Sequence, residues 1–210
     1  LDALLAHYSP DAPVNLLGHS MGGNVVSMYA GVRPERVKKL INLEGIGLVG
    51  AKPEQAPKRM AKWLDELRTP PVMRAYASLD EVAARLQKTN PRLPAERAAF
   101  LAEHWSARND AGEYEILGDP AHKMPGPLLY HLDEVIEMWK RISAPVLWIE
   151  AAQTEMWRWM GLQEEMRAEV DRRLAHMASV EPHIVAEAGH MVHHDQPEVL
   201  ARLIEAFLAR

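Results

Sequence analysis

The chain has 210 residues, 48% of them apolar, enough for one packed domain or for a core with a lid, and this excludes general disorder. Its formal net charge is -5, and the most basic stretch, Arg33 to Lys39, is short and mixed with apolar residues, so nucleic acid is not an expected partner. Cysteine is absent, which removes disulfides, thiol catalysis and thiolate metal sites, and no apolar run reaches the length of a membrane span; the expected setting is the cytoplasm.

The chain opens in an amphipathic pattern, Leu1-Asp2-Ala3-Leu4-Leu5-Ala6, which reads as helix. After the turn Ser9 to Pro13, the apolar run Val14-Asn15-Leu16-Leu17 predicts a buried strand. Gly18-His19-Ser20-Met21-Gly22-Gly23 then turns sharply into a helix from Asn24 to about Ala30, and a second strand follows over residues 37 to 43. Apolar strands alternating with helices predict an α/β fold with a parallel sheet covered by helices.

The composition then changes. Residues 46–143 are rich in proline, show no clear strand, and hold helical stretches over Gln55 to Arg68, Val72 to Lys88, Pro94 to Arg108 and Leu132 to Arg141. This region is expected to be a helical cap inserted between strands, with residues 1–45 and 144–210 forming the core. Trp63, Trp105, Trp139, Met60, Met73, Met138 and Leu129 supply its own small core and the available lining for an apolar pocket. Strands return at Val146 to Ile149 and His183 to Ala186, with helices expected over about 156–178 and 198–208.

The pattern Gly18-x-Ser20-x-Gly22, between an apolar strand and a helix, is the arrangement that exposes a nucleophilic serine on a strained turn. Glycines two residues either side of the serine avoid pressing on the neighbouring strand and helix. The Met21 N–H, at the helix start, can donate to an oxyanion. Val14 to Gly23 resembles the nucleophile elbow of the α/β-hydrolase superfamily, in its esterase, lipase and C–C hydrolase branch. The likeness extends to Ala144 to Ile149 and to Glu187-Ala188-Gly189-His190 through Glu198. It implies a Ser-His-acid triad, a cap that shapes an acyl pocket, a small apolar ester as substrate, and no cofactor.

His190 is the expected general base. It follows the last strand through a short turn, at the same sheet edge as Ser20, and matches the family's Gly-His pair. His193 and His194 lie nearby, but no H-E-x-x-H pattern exists and no metal is expected. His19 reads as a packing residue of the elbow. The acid departs from the family pattern: where that pattern has aspartate after the strand Val146 to Ile149, this chain has Thr154, and Ala151 replaces its glycine. Three carboxylates compete. Glu44, at the end of the second strand, occupies the position that haloalkane dehalogenases use, and a carboxylate in so apolar a run needs a partner. Glu155 is one residue past the usual site, although a glutamate in a helix's first turn has a plain reason to be there. Glu150 ends the strand itself. Glu44 is preferred, with Glu155 the alternative and Glu150 third.

The resemblance also implies further strands and a second oxyanion donor ahead of the elbow strand. A preceding segment of about 70 to 90 residues, covalent or on another chain, is therefore expected to complete the sheet and to be needed for activity. Amide, lactone or C–C bond hydrolysis and a non-catalytic binding role remain the competing readings.

Overall fold

The structure, a computed structural model, describes residues 1–156, 158 and 166–210. Its strands are, in chain order, β1 (Val14–His19), β2 (Val37–Leu43), β3 (Ala75–Tyr76), β4 (Ser106–Arg108), β5 (Tyr114–Ile116), β6 (Val146–Ala151) and β7 (Val180–Val185). The helices are α1 (Asp2–Tyr8), α2 (Met21–Val32), α3 (Ala56–Arg68), α4 (Leu79–Thr89), α5 (Ala95–Trp105), α6 (Leu132–Trp139), α7 (Met166–Leu174), α8 (Val192–Asp195) and α9 (Pro197–Ala209). Residues 157 and 159–165 of the helix expected over 156–178 lie outside the described residues.

Two compact units divide the chain, one formed by Leu1–Gly50 with Tyr130–Arg210 and the other by Ala51–Leu129. In the first, β1, β2, β6 and β7 form a parallel sheet in that order. All six residues of β6 are buried, because this strand has neighbours on both sides and covering layers on both faces. Side chains alternate between the two faces. Leu40, Val146 and Trp148 face a cluster that includes Val26, Ala30, Trp139 and Val170. Ile41, Leu43, Leu147 and Ile149 face Val185, Leu200 and Phe207. The register pairs His19 with Leu43 and Leu43 with Ile149, so the loops after β1, β2 and β6 leave the sheet at one edge.

The units part at 50/51 and 129/130, not at the expected 45/46 and 143/144. Helix α6, expected in the cap, packs against α2, and its Trp139 is fully buried in the core beneath the sheet. Trp139 is thus core, not pocket lining. The second unit also holds strands that the sequence did not announce: β3, β5 and β4 make a small antiparallel sheet in that order. Asn109 accepts from the Gly112 N–H through its carbonyl, and Gly112 takes φ +80°, closing the β4–β5 hairpin. Ser78 caps α4 by accepting the Glu81 N–H, which ends the helix that the amphipathic pattern extends back to Val72. Strand β7 starts at Val180, earlier than expected, because Pro182, which cannot donate to a ladder, is tolerated in the outermost strand of this order.

Candidate active site

Ser20 sits between β1 and α2 with φ +53° and ψ -115°, a conformation that a residue with a side chain adopts only under restraint. Its N–H donates to the Leu43 carbonyl at 2.8 Å, and its own carbonyl accepts the Asn24 N–H at 3.1 Å, joining β2 and the first turn of α2 to the turn. A Cβ at Gly18 would run into the Gly22 carbonyl, which explains the first glycine of the pattern. The other glycine needs a correction. A Cβ at Gly22 meets nothing within 4 Å, whereas one at Gly23 would press on the Asn42 side chain and on the Gly45 backbone. The residue required to be small is therefore Gly23, where α2 meets the loop after β2.

That loop is held by Asn42, which is fully buried. Its amide nitrogen lies 2.8 Å from both the Ser27 hydroxyl and the Gly45 carbonyl, and its Oδ1 accepts the Gly45 N–H at 2.8 Å. Between Asn42 and Gly45 stands Glu44, again with positive φ (+54°) and only 2% exposed. Its N–H donates to the Ile149 carbonyl at 3.1 Å.

The Glu44 carboxylate collects three donors. Oε1 accepts the Ala151 N–H at 2.7 Å, while Oε2 accepts the Thr154 hydroxyl at 2.8 Å and His190 Nδ1–H at 2.6 Å. A buried carboxylate left unpaired would be costly, and here each oxygen has a partner. With Nδ1 as donor, the neutral His190 ring presents Nε2 as its acceptor.

The competing carboxylates lie elsewhere. Glu155 is exposed and pairs with Arg158 at 2.8 Å. Glu150 is buried and accepts from Arg167 at 2.7 Å. Thr154, at the position where the resemblance implies an aspartate, uses its hydroxyl twice, donating to Glu44 and accepting the Met156 N–H at 3.2 Å. The sequence marks Thr154 only as the residue that stands in place of an aspartate. A signal was available, since a threonine on that loop can serve a carboxylate placed on the neighbouring one.

His190 lies beyond β7, in the loop before α8. The Gly189 N–H donates to Asp195 at 2.8 Å, and the His190 carbonyl accepts His19 Nε2–H at 2.7 Å. His19, next to Ser20, packs its ring 4.7 Å from that of His190 and 4.5 Å from that of His193. Burial lowers the His19 pKa from its ordinary value, against the opposing pull of its bond to the His190 carbonyl. His193 is pushed down to about 3, by burial first and then by the neighbouring histidines. Among the described residues, no group of His, Asp or Glu is arranged to hold a metal ion, and no helix is long and apolar enough to cross a membrane. Met21 opens α2 and is 63% exposed.

Comparison with known proteins adds four findings. The model of a family described as the alpha/beta hydrolase family matches residues 1–203. The chain is 22% identical over 200 residues to a serine hydrolase-like protein of Danio rerio, covering 92% of this chain and 60% of the relative. It is 23% identical over 202 residues to the esterase YbfF of Escherichia coli K12, covering 91% and 66%. The chain therefore spans less than two thirds of the length of each of these curated relatives. Among solved structures, the hypothetical protein PA1622 of Pseudomonas aeruginosa PAO1 superimposes with a TM-score of 0.82 at 25% identity, covering 100% of this chain and 72% of that one.

Proposed function

The chain belongs to the α/β hydrolase family, and we propose that within it the protein is a serine hydrolase that cleaves carboxylic esters through Ser20, His190 and Glu44. The observation that carries the proposal is the 2.6 Å contact between His190 Nδ1 and a buried glutamate that two further donors hold in place. The esterase and serine hydrolase-like names of its relatives support the same reaction class.

In this mechanism the Ser20 oxygen attacks the ester carbonyl carbon while His190 Nε2 takes the hydroxyl proton. Glu44 keeps Nδ1 protonated and stabilises the imidazolium that forms. Its carboxylate does not take the proton. The negative charge that develops on the carbonyl oxygen is met by the Met21 N–H at the positive end of α2. Collapse of the tetrahedral intermediate breaks the C–O bond to the alcohol, which leaves with the proton from His190. Water then repeats the sequence on the acyl-serine, releasing the acid and restoring Ser20. The expected substrate is a small apolar ester.

The test is labelling with a fluorophosphonate, followed by a panel of p-nitrophenyl esters graded by acyl length. Stoichiometric modification of Ser20 and turnover of at least one ester are expected. A protein that neither labels nor turns over any ester would overturn the proposal.

A further inference from the structure

The base of a triad must be placed to within about an ångström, because a displacement of that size costs roughly 10²-fold in rate. Here the base stands on a loop, five residues past the end of β7. Something must fix that loop on the side facing the nucleophile. On its far side the Gly189 N–H is held by Asp195, and the imidazole itself is held by Glu44. The main-chain carbonyl of the base itself, that of His190, accepts His19 Nε2–H at 2.7 Å.

His19 is the last residue of β1, paired in register with Leu43, and Ser20 follows it directly. We infer that His19 is a positioning residue that fastens the loop of the general base to the strand of the nucleophile by holding the His190 carbonyl. The inference rests on the serine hydrolase reading and assigns His19 more than packing. A carbonyl oxygen can only accept, so His19 carries its proton on Nε2, and in the neutral ring Nδ1 is bare.

Its charge state matters as well. The groups facing the His19 ring are His190 on the base loop, His193 on α8 with His194 behind it, and Glu44 at the end of β2. A proton on His19 would set a second cation against His190 at the moment it takes the serine proton. Half-burial opposes that protonation.

The experiment compares His19→Phe, which keeps a ring without a donor, with His19→Gln, whose amide nitrogen reaches nearly the same point as Nε2. In the full-length protein, kcat and KM for p-nitrophenyl butyrate, the rate of fluorophosphonate labelling of Ser20, and the melting temperature are measured for each. Long-range ¹H–¹⁵N NMR of the wild type reads the His19 tautomer. The expected results are an Nε2–H tautomer at pH 7, a kcat about 10- to 100-fold lower in His19→Phe with KM within about 3-fold, and recovery to within about 3-fold of wild type in His19→Gln. An Nδ1–H tautomer, an unchanged kcat in His19→Phe, or a His19→Gln as poor as His19→Phe at equal melting temperature overturns the inference. If Ser20 of the wild type does not label, the serine hydrolase reading fails and this inference fails with it. If it labels at the same rate in wild type and His19→Phe, only the positioning role is lost.

Discussion

Thr154 donates its hydroxyl to Oε2 of Glu44 at 2.8 Å, and the same oxygen receives Nδ1–H of His190. Three loops, after β2, β6 and β7, thus meet on a single atom, and the first two compete to carry the acid. Either loop could carry the acid in such a geometry. In this chain the carboxylate stands on the β2 loop, and the hydroxyl on the β6 loop steadies it.

Replacing Glu44 by Gln should lower kcat by about 10²- to 10⁴-fold, because an amide cannot stabilise the imidazolium and favours the wrong tautomer of His190. Glu155→Gln should stay within about 2-fold of wild type, since Glu155 is exposed and its partner is Arg158. Steady-state kinetics on a p-nitrophenyl ester, with circular dichroism as a check on folding, decide the assignment. Equal effects from the two substitutions would exclude Glu44 as the acid.

The acid should also be transferable. Thr154→Val removes one donor from a buried carboxylate and should cost about 1–3 kcal/mol of stability. Adding Thr154→Asp to Glu44→Gln places a carboxylate within the reach that the Thr154 hydroxyl has now, and should recover at least about 10-fold of the activity lost in Glu44→Gln alone. Urea denaturation reads the first effect and kcat the second. No recovery by the double variant would mean that position 154 cannot reach His190.

Ser20, His190 and Glu44, the residues of the proposed triad, stand out in the sequence because each is marked locally: a glycine-flanked serine, a Gly-His pair, a lone carboxylate in an apolar run. The donors that hold Glu44 do not, because Ala151 and Thr154 lie 107 and 110 residues away from it in the chain, and only the sheet brings them together. The strands of the residue 51–129 unit escaped for a different reason. Each has two or three residues, too few for alternation to show, and β4 continues directly from α5. The boundary at 129/130 was missed because an amphipathic helix such as α6 looks the same whether it covers a sheet or another helix.

The two glycines after the serine should respond in opposite ways. Gly22→Ala meets open space on a helix and should be neutral or stabilising by up to about 1 kcal/mol. Gly23→Ala pushes a methyl group against Asn42 and Gly45 and should cost about 1–3 kcal/mol, with loss of activity as the Glu44 loop shifts. Chemical denaturation midpoints of the two variants give the answer. If Gly23→Ala is the milder change, α2 and the β2 loop do not meet as described.

Stability should fall on acidification through a window set by histidines, and His193 is the clearest contributor. Its ring packs against His19 and His194, and burial with those neighbours holds its pKa down to about 3, against about 6.5 in an unfolded chain. The sign follows from which state binds more protons. Between the two values the unfolded chain takes up a proton that the folded one refuses, so acidification favours unfolding. The stabilisation from keeping His193 neutral is complete above about pH 6.5, declines as the pH falls, and is exhausted near pH 3. His19, also shifted downward, adds to the same trend. His193→Phe keeps a ring and removes the titration, so its urea midpoint should change less between pH 7 and pH 4 than that of the wild type. The comparison has to be made as a difference across pH, because the substitution also alters packing and moves the curve as a whole. If the wild type and His193→Phe lose stability in parallel over that range, His193 is not the group that resists the proton.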